Sequence, residues 1–204
     1  MLKVPKEIAM AKRERRKKPE TEAEELAAAQ AFVNESDRGI MLIQTQNLDH
    51  ALEVLLRSRM RQEKLAAQFF EGANPLLGSF WAKTATAYAF GFIEKAVYEV
   101  LELIREIRND CAHDPGPVEL NKDSRLARLI QYLSPEMRQY FEAVMDQWGH
   151  QMEIAKHKGI EVHPALSAYR IQFICAAQAA TYNIINSVDP NKEIPDAWAL
   201  TKPQ

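Results

Sequence analysis

The segment EKAVYEVLELIREIRNDCAH, residues 94–113, decides the fold of this chain of 204 residues. Apolar side chains recur in and just before it with alternating spacings of four and three, which places them on one stripe of an α-helix: Ile93, Val97, Val100, Ile104, Ile107 and Cys111. Asp114-Pro115 follows at once, and a proline disfavours helical conformation in the residue before it. The pattern predicts a long helix that packs against a partner helix and ends near His113.

Helical periodicity also predominates in the rest of the chain, and no stretch alternates between apolar and polar residues as a half-buried strand does. Capping residues, among them Ser79 before the helix at 80–90, and prolines delimit the other predicted helices. These helices cover about 21–34, 37–60 with a short continuation over 62–70, 80–90, 123–133, 135–149 and 164–188. The sequence therefore predicts an all-α protein, a single helical-bundle domain of about six or seven helices.

The predicted domain organisation has three parts. Residues 1–19 form a flexible, disordered basic arm, 20–188 the helical domain and 189–204 a tail with three prolines. The two cysteines, Cys111 and Cys175, lie within apolar helical patterns and are expected to be reduced. No apolar run approaches the length of a membrane span, and the N-terminus lacks the apolar stretch of a secretory signal. A cytoplasmic protein without membrane contact is the expectation.

Charge is concentrated at the N-terminus. Residues 1–18 carry +6, and because the whole chain carries −2, the remaining residues carry −8. A basic arm on an acidic body either contacts nucleic acid without reading its sequence or simply aids solubility as a solvated tail. In the first case the contacts to RNA or other nucleic acid come from six residues: Lys12, Arg13, Arg15, Arg16, Lys17 and Lys18.

Polar residues at the end of the long helix suggest a chemical site. Arg108 lies about 60° from the centre of the apolar stripe and about 140° from His113 on a regular helix. A guanidinium holds a phosphate in a fork, and a histidine transfers protons near neutral pH, so the pair suits RNA cleavage without a metal. Asn109 would position the substrate and Arg105 would assist. The alternative is structural: Arg108 neutralises a carboxylate at the seam and His113 caps the helix.

Two family resemblances rest on these residues and on the stretch before them. Arg108-Asn109 with His113 resembles the R-N-x-x-x-H motif of HEPN domains, many of which are metal-independent ribonucleases. In addition, residues 36–140 resemble the mannitol operon repressor (MltR) family, through Asp37-Arg38-Gly39, then FEG and PLLGSF over 70–80, AYAFGFI over 87–93, and 104–113. The second resemblance implies an all-helical, regulatory, repressor-type protein, and the two families share the R-N-x-x-x-H corner.

Two other patterns in the sequence could indicate a DNA-binding motif or a metal site. The helices at 123–133 and 135–148 are the nearest approach to a helix-turn-helix, but the second carries Glu136, Glu142 and Asp146, and phosphate would repel it. His150, Glu153 and His157 share a helical face, and a solvated polar face is the expectation there, with no metal and no other cofactor.

Three functions therefore stand as expectations. The first is an MltR-type regulatory protein acting in transcriptional repression through a protein partner, as a homodimer, without a DNA-reading motif of its own. The second is a HEPN-like endoribonuclease that uses Arg108 and His113. The third is a helical protein–protein interaction module in which the motif only shapes the corner.

Overall fold

A computed structural model describes residues 35–113, 123–135 and 168–189, together with the isolated positions 116, 120, 138–139, 142–143, 146, 150, 153, 157 and 200. The predicted helix 21–34 and the six basic arm residues lie outside this described part. The described residues fall in one compact unit that spans Asn34–Gln204.

The described part of the chain is all-helical, which confirms the predicted fold class. Six helices have defined bounds, numbered here in chain order: α1 Asp37–Ser58, α2 Glu63–Phe70, α3 Phe80–Ala89, α4 Lys95–His113, α5 Ser124–Gln131 and α6 Ala168–Asn186. Each lies within a helix predicted from periodicity or differs from it by a few residues at its ends. None of these helices is both long and apolar enough to cross a bilayer.

The stripe predicted for α4 forms the centre of the core. Val100, Ile104 and Ile107 are fully buried, and Val97 and Cys111 are nearly so. Helix α4 packs against α1, α3 and α6. The predicted length of the helix is also confirmed, because it stays helical through His113.

Helix α1 packs most extensively against α6. The buried face of α6 is lined by small residues that allow a neighbouring helix to approach closely: Ala176, Ala177, Ala179 and Ala180. Arg170 near the start of α6 donates to Asp37 at the start of α1, at 2.8 Å from Nε and 2.6 Å from Nη2. Leu200 is also buried and forms an isolated antiparallel bridge with Leu133.

Local sequence signals fix the ends of α3. The hydroxyl of Ser79 accepts a hydrogen bond from the backbone amide of Ala82 at 3.1 Å, as an N-cap does. At the other end, the amides of Gly91 and Phe92 donate to the carbonyls of Tyr88 and Ala87 at 2.9 and 2.8 Å. This is a Schellman motif, and it needs Gly91 because the backbone there has φ +69°.

Candidate functional site

The guanidinium of Arg108 is half-buried on α4 and available for a ligand. Its Nη1 donates to Oδ1 of the neighbouring Asn109 at 3.1 Å. Among the residues that the structure describes, no carboxylate lies within ion-pair distance of Arg108. The alternative, in which Arg108 neutralises a carboxylate at the helix seam, therefore has no candidate carboxylate among the described residues. The hydrogen bond to Asn109 orients the guanidinium instead.

His113 lies apart from Arg108. It is exposed in the last turn of α4, and the helix continues without a break between the two residues. On a regular helix, a separation of five residues corresponds to a rotation of about 140° around the axis. The two side chains therefore leave the helix in different directions. Helix α4 stays regular through His113, so the two side chains do not converge on one phosphate within a single copy of the chain.

Arg105 is already committed to another partner. Its Nη2 lies 2.8 Å from Oε2 of Glu102, and Nε also donates to that carboxylate. The hydrogen bonds that Arg105 donates to Glu102 raise the pKa of Arg105 against the opposing effect of burial. Arg105 would have to break this pair before it could assist at a phosphate, so it is the weakest of the four predicted site residues.

Gly116 and Leu120, which follow α4, form hydrogen bonds with the start of α1. Nη2 of Arg38 donates to the carbonyl oxygen of Gly116 at 2.7 Å, and Oδ2 of Asp37 accepts from the amide of Leu120 at 3.1 Å. Asp37 and Arg38 are the first residues of the stretch that resembles the MltR family. The first residues of that stretch therefore contact residues that lie just beyond its R-N-x-x-x-H motif.

Arg108 forms one wall of an open cleft between three helices. The cleft has a volume of about 390 Å³. Residues of α1, the first residue of α3 and the two residues before it form the rest of the lining: Leu42, Thr45, Gln46, Asp49, Gly78, Ser79 and Phe80. Of the four predicted site residues, only Arg108 belongs to this cleft.

Beside the cleft, Lys83 is buried in an ion cluster that was not predicted from the sequence. Its Nζ lies 2.7 Å from Oδ2 of Asp49 and 3.4 Å from Oε2 of Glu53. Arg57 extends the cluster by pairing with Glu53 and Glu71 at 2.8 and 3.0 Å. The sequence does contain a signal for this cluster, because Lys83 lies four residues before Ala87 on the apolar face of a short helix. A lysine on a buried face needs carboxylate partners, but the sequence does not indicate which ones.

Neither cysteine is a thiolate at neutral pH. Sγ of Cys111 lies 3.4 Å from the sulfur of Met41 in the core. Burial raises the pKa of both thiols, so both stay protonated at neutral pH. Among the described residues, no three histidine, cysteine, aspartate or glutamate side chains come together as a metal site.

Comparison with known proteins adds no further constraint. No family model matches the chain, and neither a curated protein nor a solved structure matches it. The site has to be interpreted from its own geometry.

Proposed function

We propose that this protein is an MltR-type regulator that acts in transcriptional repression by binding a protein partner in the cytoplasm, without reading DNA itself. The observation that carries the proposal is an aromatic surface on α3, formed by Trp81 and Tyr88. These two side chains are 55% and 37% exposed. They are seven residues apart and therefore lie on the same helical face. This pair is called the α3 surface below.

The composition of the α3 surface suits a protein partner. Tryptophan and tyrosine are enriched at protein interfaces and among the residues that dominate binding energy. Tyr88 is held in place by stacking on Tyr98, with ring centroids 4.4 Å apart. A side chain that is ordered before binding loses less conformational entropy in the complex. Phe90, which follows α3 directly, is 70% exposed and extends the apolar character of this region.

Charge supports a partner protein over direct DNA contact. The nearest equivalent of a recognition helix follows α5, and its described positions are exposed. Glu142, Asp146 and Glu153 face outward there against a single described cation, Arg138. A negative face loses the phosphate attraction on which DNA affinity depends. The basic arm with Lys12–Lys18 then supplies any non-specific contact to nucleic acid.

The proposed regulatory role predicts that Trp81→Ser abolishes partner binding. We expect affinity purification of the tagged wild-type chain from cells to recover an identified transcription factor or polymerase component. Loss of one central tryptophan weakens such a contact about 30-fold or more. The matched control is Ile185→Ser, on α6 and 52% exposed. Equal recovery by both variants, or recovery of no transcription protein by the wild type, would contradict the proposal.

A metal-independent ribonuclease is the second candidate, favoured by the lack of any carboxylate partner for Arg108 in the described part of the chain. Because Arg108 and His113 diverge on an unbroken α4, we propose that this activity requires a homodimer in which one copy supplies the arginine and the other the histidine. His113 would accept the proton of the 2′-hydroxyl, whose oxygen forms a bond to the adjacent phosphorus while Arg108 stabilises the phosphate charge. The P–O5′ bond then breaks, the 5′-oxygen takes a proton from water, and the products are a 2′,3′-cyclic phosphate and a 5′-hydroxyl.

The ribonuclease candidate predicts cleavage of labelled single-stranded RNA in EDTA. Replacing both Arg108 and His113 with alanine should lower the rate by about 100-fold or more, since each residue contributes to proton transfer or charge stabilisation. The control replaces two exposed residues of the same types, Arg128 and His150, and should cleave at the wild-type rate. Absence of cyclic phosphate ends, or equal loss in both double variants, rules this candidate out.

A further inference from the structure

The Arg108 cleft contains donors for an anion on two of its walls. The guanidinium of Arg108 contributes free N–H groups from α4. The N-terminus of α3 forms another part of the lining, through Ser79 and Phe80. Ser79 caps Ala82, while the amides of Phe80 and Trp81 make no hydrogen bond to any described residue. Helix N-termini with free amides favour carboxylate or phosphate groups.

Two residues of α1 that line the cleft carry buried polar atoms without a hydrogen-bond partner. The hydroxyl of Thr45 has no hydrogen-bond partner, although the residue is only 6% exposed. Oδ1 of Asp49, one turn further along, is also buried without a partner, while Oδ2 is held by Lys83 at 2.7 Å. Leaving such groups unpaired costs about 1–3 kcal/mol each, more for a charged one. Oδ2 of Asp49 accepts from Lys83, and a carboxylate oxygen has a second lone pair that can accept from a donor in the cleft.

We infer that this cleft binds a free α-amino acid with an apolar side chain. Arg108 and the N-terminus of α3 hold the carboxylate, and Asp49 accepts hydrogen bonds from the ammonium group. Leu42 and the ring of Phe80 contact the side chain. Thr45 and Gln46 supply the remaining hydrogen bonds, directly or through a bridging water.

The presence of both charges in one cleft selects a zwitterion over a simple anion. A phosphate monoester would satisfy Arg108, but it would bring further negative charge towards Asp49. An amine without a carboxylate would leave the Arg108 and α3 donors unpaired. The volume of about 390 Å³ lies at the small end of the range for ligand pockets, roughly 300–1,000 Å³. The inference stands apart from the proposed regulatory role, because it involves neither the side chain of Trp81 nor that of Tyr88.

The test begins with thermal melting of the full-length protein in the presence of each standard α-amino acid at about 10 mM, a concentration that reports millimolar or tighter binding. At least one apolar amino acid should raise the melting temperature, and calorimetry then gives its dissociation constant. The carboxylic acid and the amine that match this amino acid, each lacking the other charged group, should bind at least about tenfold more weakly.

The variant arm uses Arg108→Gln with Arg105→Gln as its control. Both are arginines on α4, but Arg105 is paired with Glu102 and does not line the cleft. Arg108→Gln should weaken amino-acid binding by about tenfold or more, and Arg105→Gln by less than about twofold. The inference is wrong if no amino acid raises the melting temperature, if the carboxylic acid alone binds as well, or if the two variants weaken binding equally. Circular dichroism checks the fold of each variant, which should have the same helix content as the wild type.

Discussion

Replacing Lys83 with alanine is expected to destabilise the fold by about 3–5 kcal/mol, the cost of removing one partner from a buried ion pair. Lys83 is 4% exposed and is the cation that Asp49 and Glu53 share. Without Lys83, the carboxylates of Asp49 and Glu53, 23% and 28% exposed, lose the cation that they share. Oδ1 of Asp49 already has no hydrogen-bond partner. Chemical denaturation should show a lower midpoint with an unchanged slope.

Two control variants separate the charge of Lys83 from its packing. Lys83→Met keeps most of the aliphatic stem and removes the ammonium, so it should lose nearly as much stability as Lys83→Ala. Lys95→Ala removes a surface lysine, 56% exposed and 3.7 Å from Glu99, and should cost less than about 1 kcal/mol. Near wild-type stability of Lys83→Met would show that packing, and not the ion cluster, explains the effect.

Asp37→Ala should have the second largest effect on stability, about 3 kcal/mol. This carboxylate holds together three segments that are distant in sequence. It pairs with the buried guanidinium of Arg170 at 2.6 Å and accepts from the amide of Leu120 at 3.1 Å. Breaking a buried pair from one side costs about 3–5 kcal/mol, and the 18% exposure of Asp37 places the value at the low end. Urea denaturation followed by circular dichroism measures it.

The matched control for Asp37 is another aspartate that pairs with an arginine. Asp110 lies 2.7 Å from Arg125 but is 68% exposed, so Asp110→Ala should cost less than about 1 kcal/mol. A double-mutant cycle with Asp37→Ala and Arg170→Met isolates the pair itself. Additive losses in that cycle would show that the two residues stabilise the fold independently and would contradict the proposed connection between α1 and α6.

Sequence patterns predicted the elements of this fold because the relevant signals are local. The apolar stripe of α4 follows from spacings of three and four, and the cap of α3 follows from Ser79 in front of a helical pattern. Both features are confirmed. Such signals depend on residues within one or two turns of each other, so no knowledge of the tertiary arrangement is needed.

The candidate site was only partly predictable, because it depends on how the helices pack. Arg108 was identified by its motif and does line the cleft. Thr45 and Asp49 come from α1 and Ser79 from the start of α3, and no local pattern indicates that these positions meet Arg108. The pairing of Lys83 with Asp49 spans 34 residues and that of Arg170 with Asp37 spans 133. A periodic pattern predicts that a residue is buried, but it does not identify a partner so far along the chain.

We propose that the α3 surface binds a protein of the transcription machinery. Photo-crosslinking in living cells, with a photoreactive phenylalanine analogue in place of Trp81, tests this proposal. We expect a crosslinked product that contains this chain and an identified transcription factor or polymerase component, absent when the analogue replaces Ile185 instead. A product that contains only RNA or only a second copy of this chain, or no product at position 81, would contradict it.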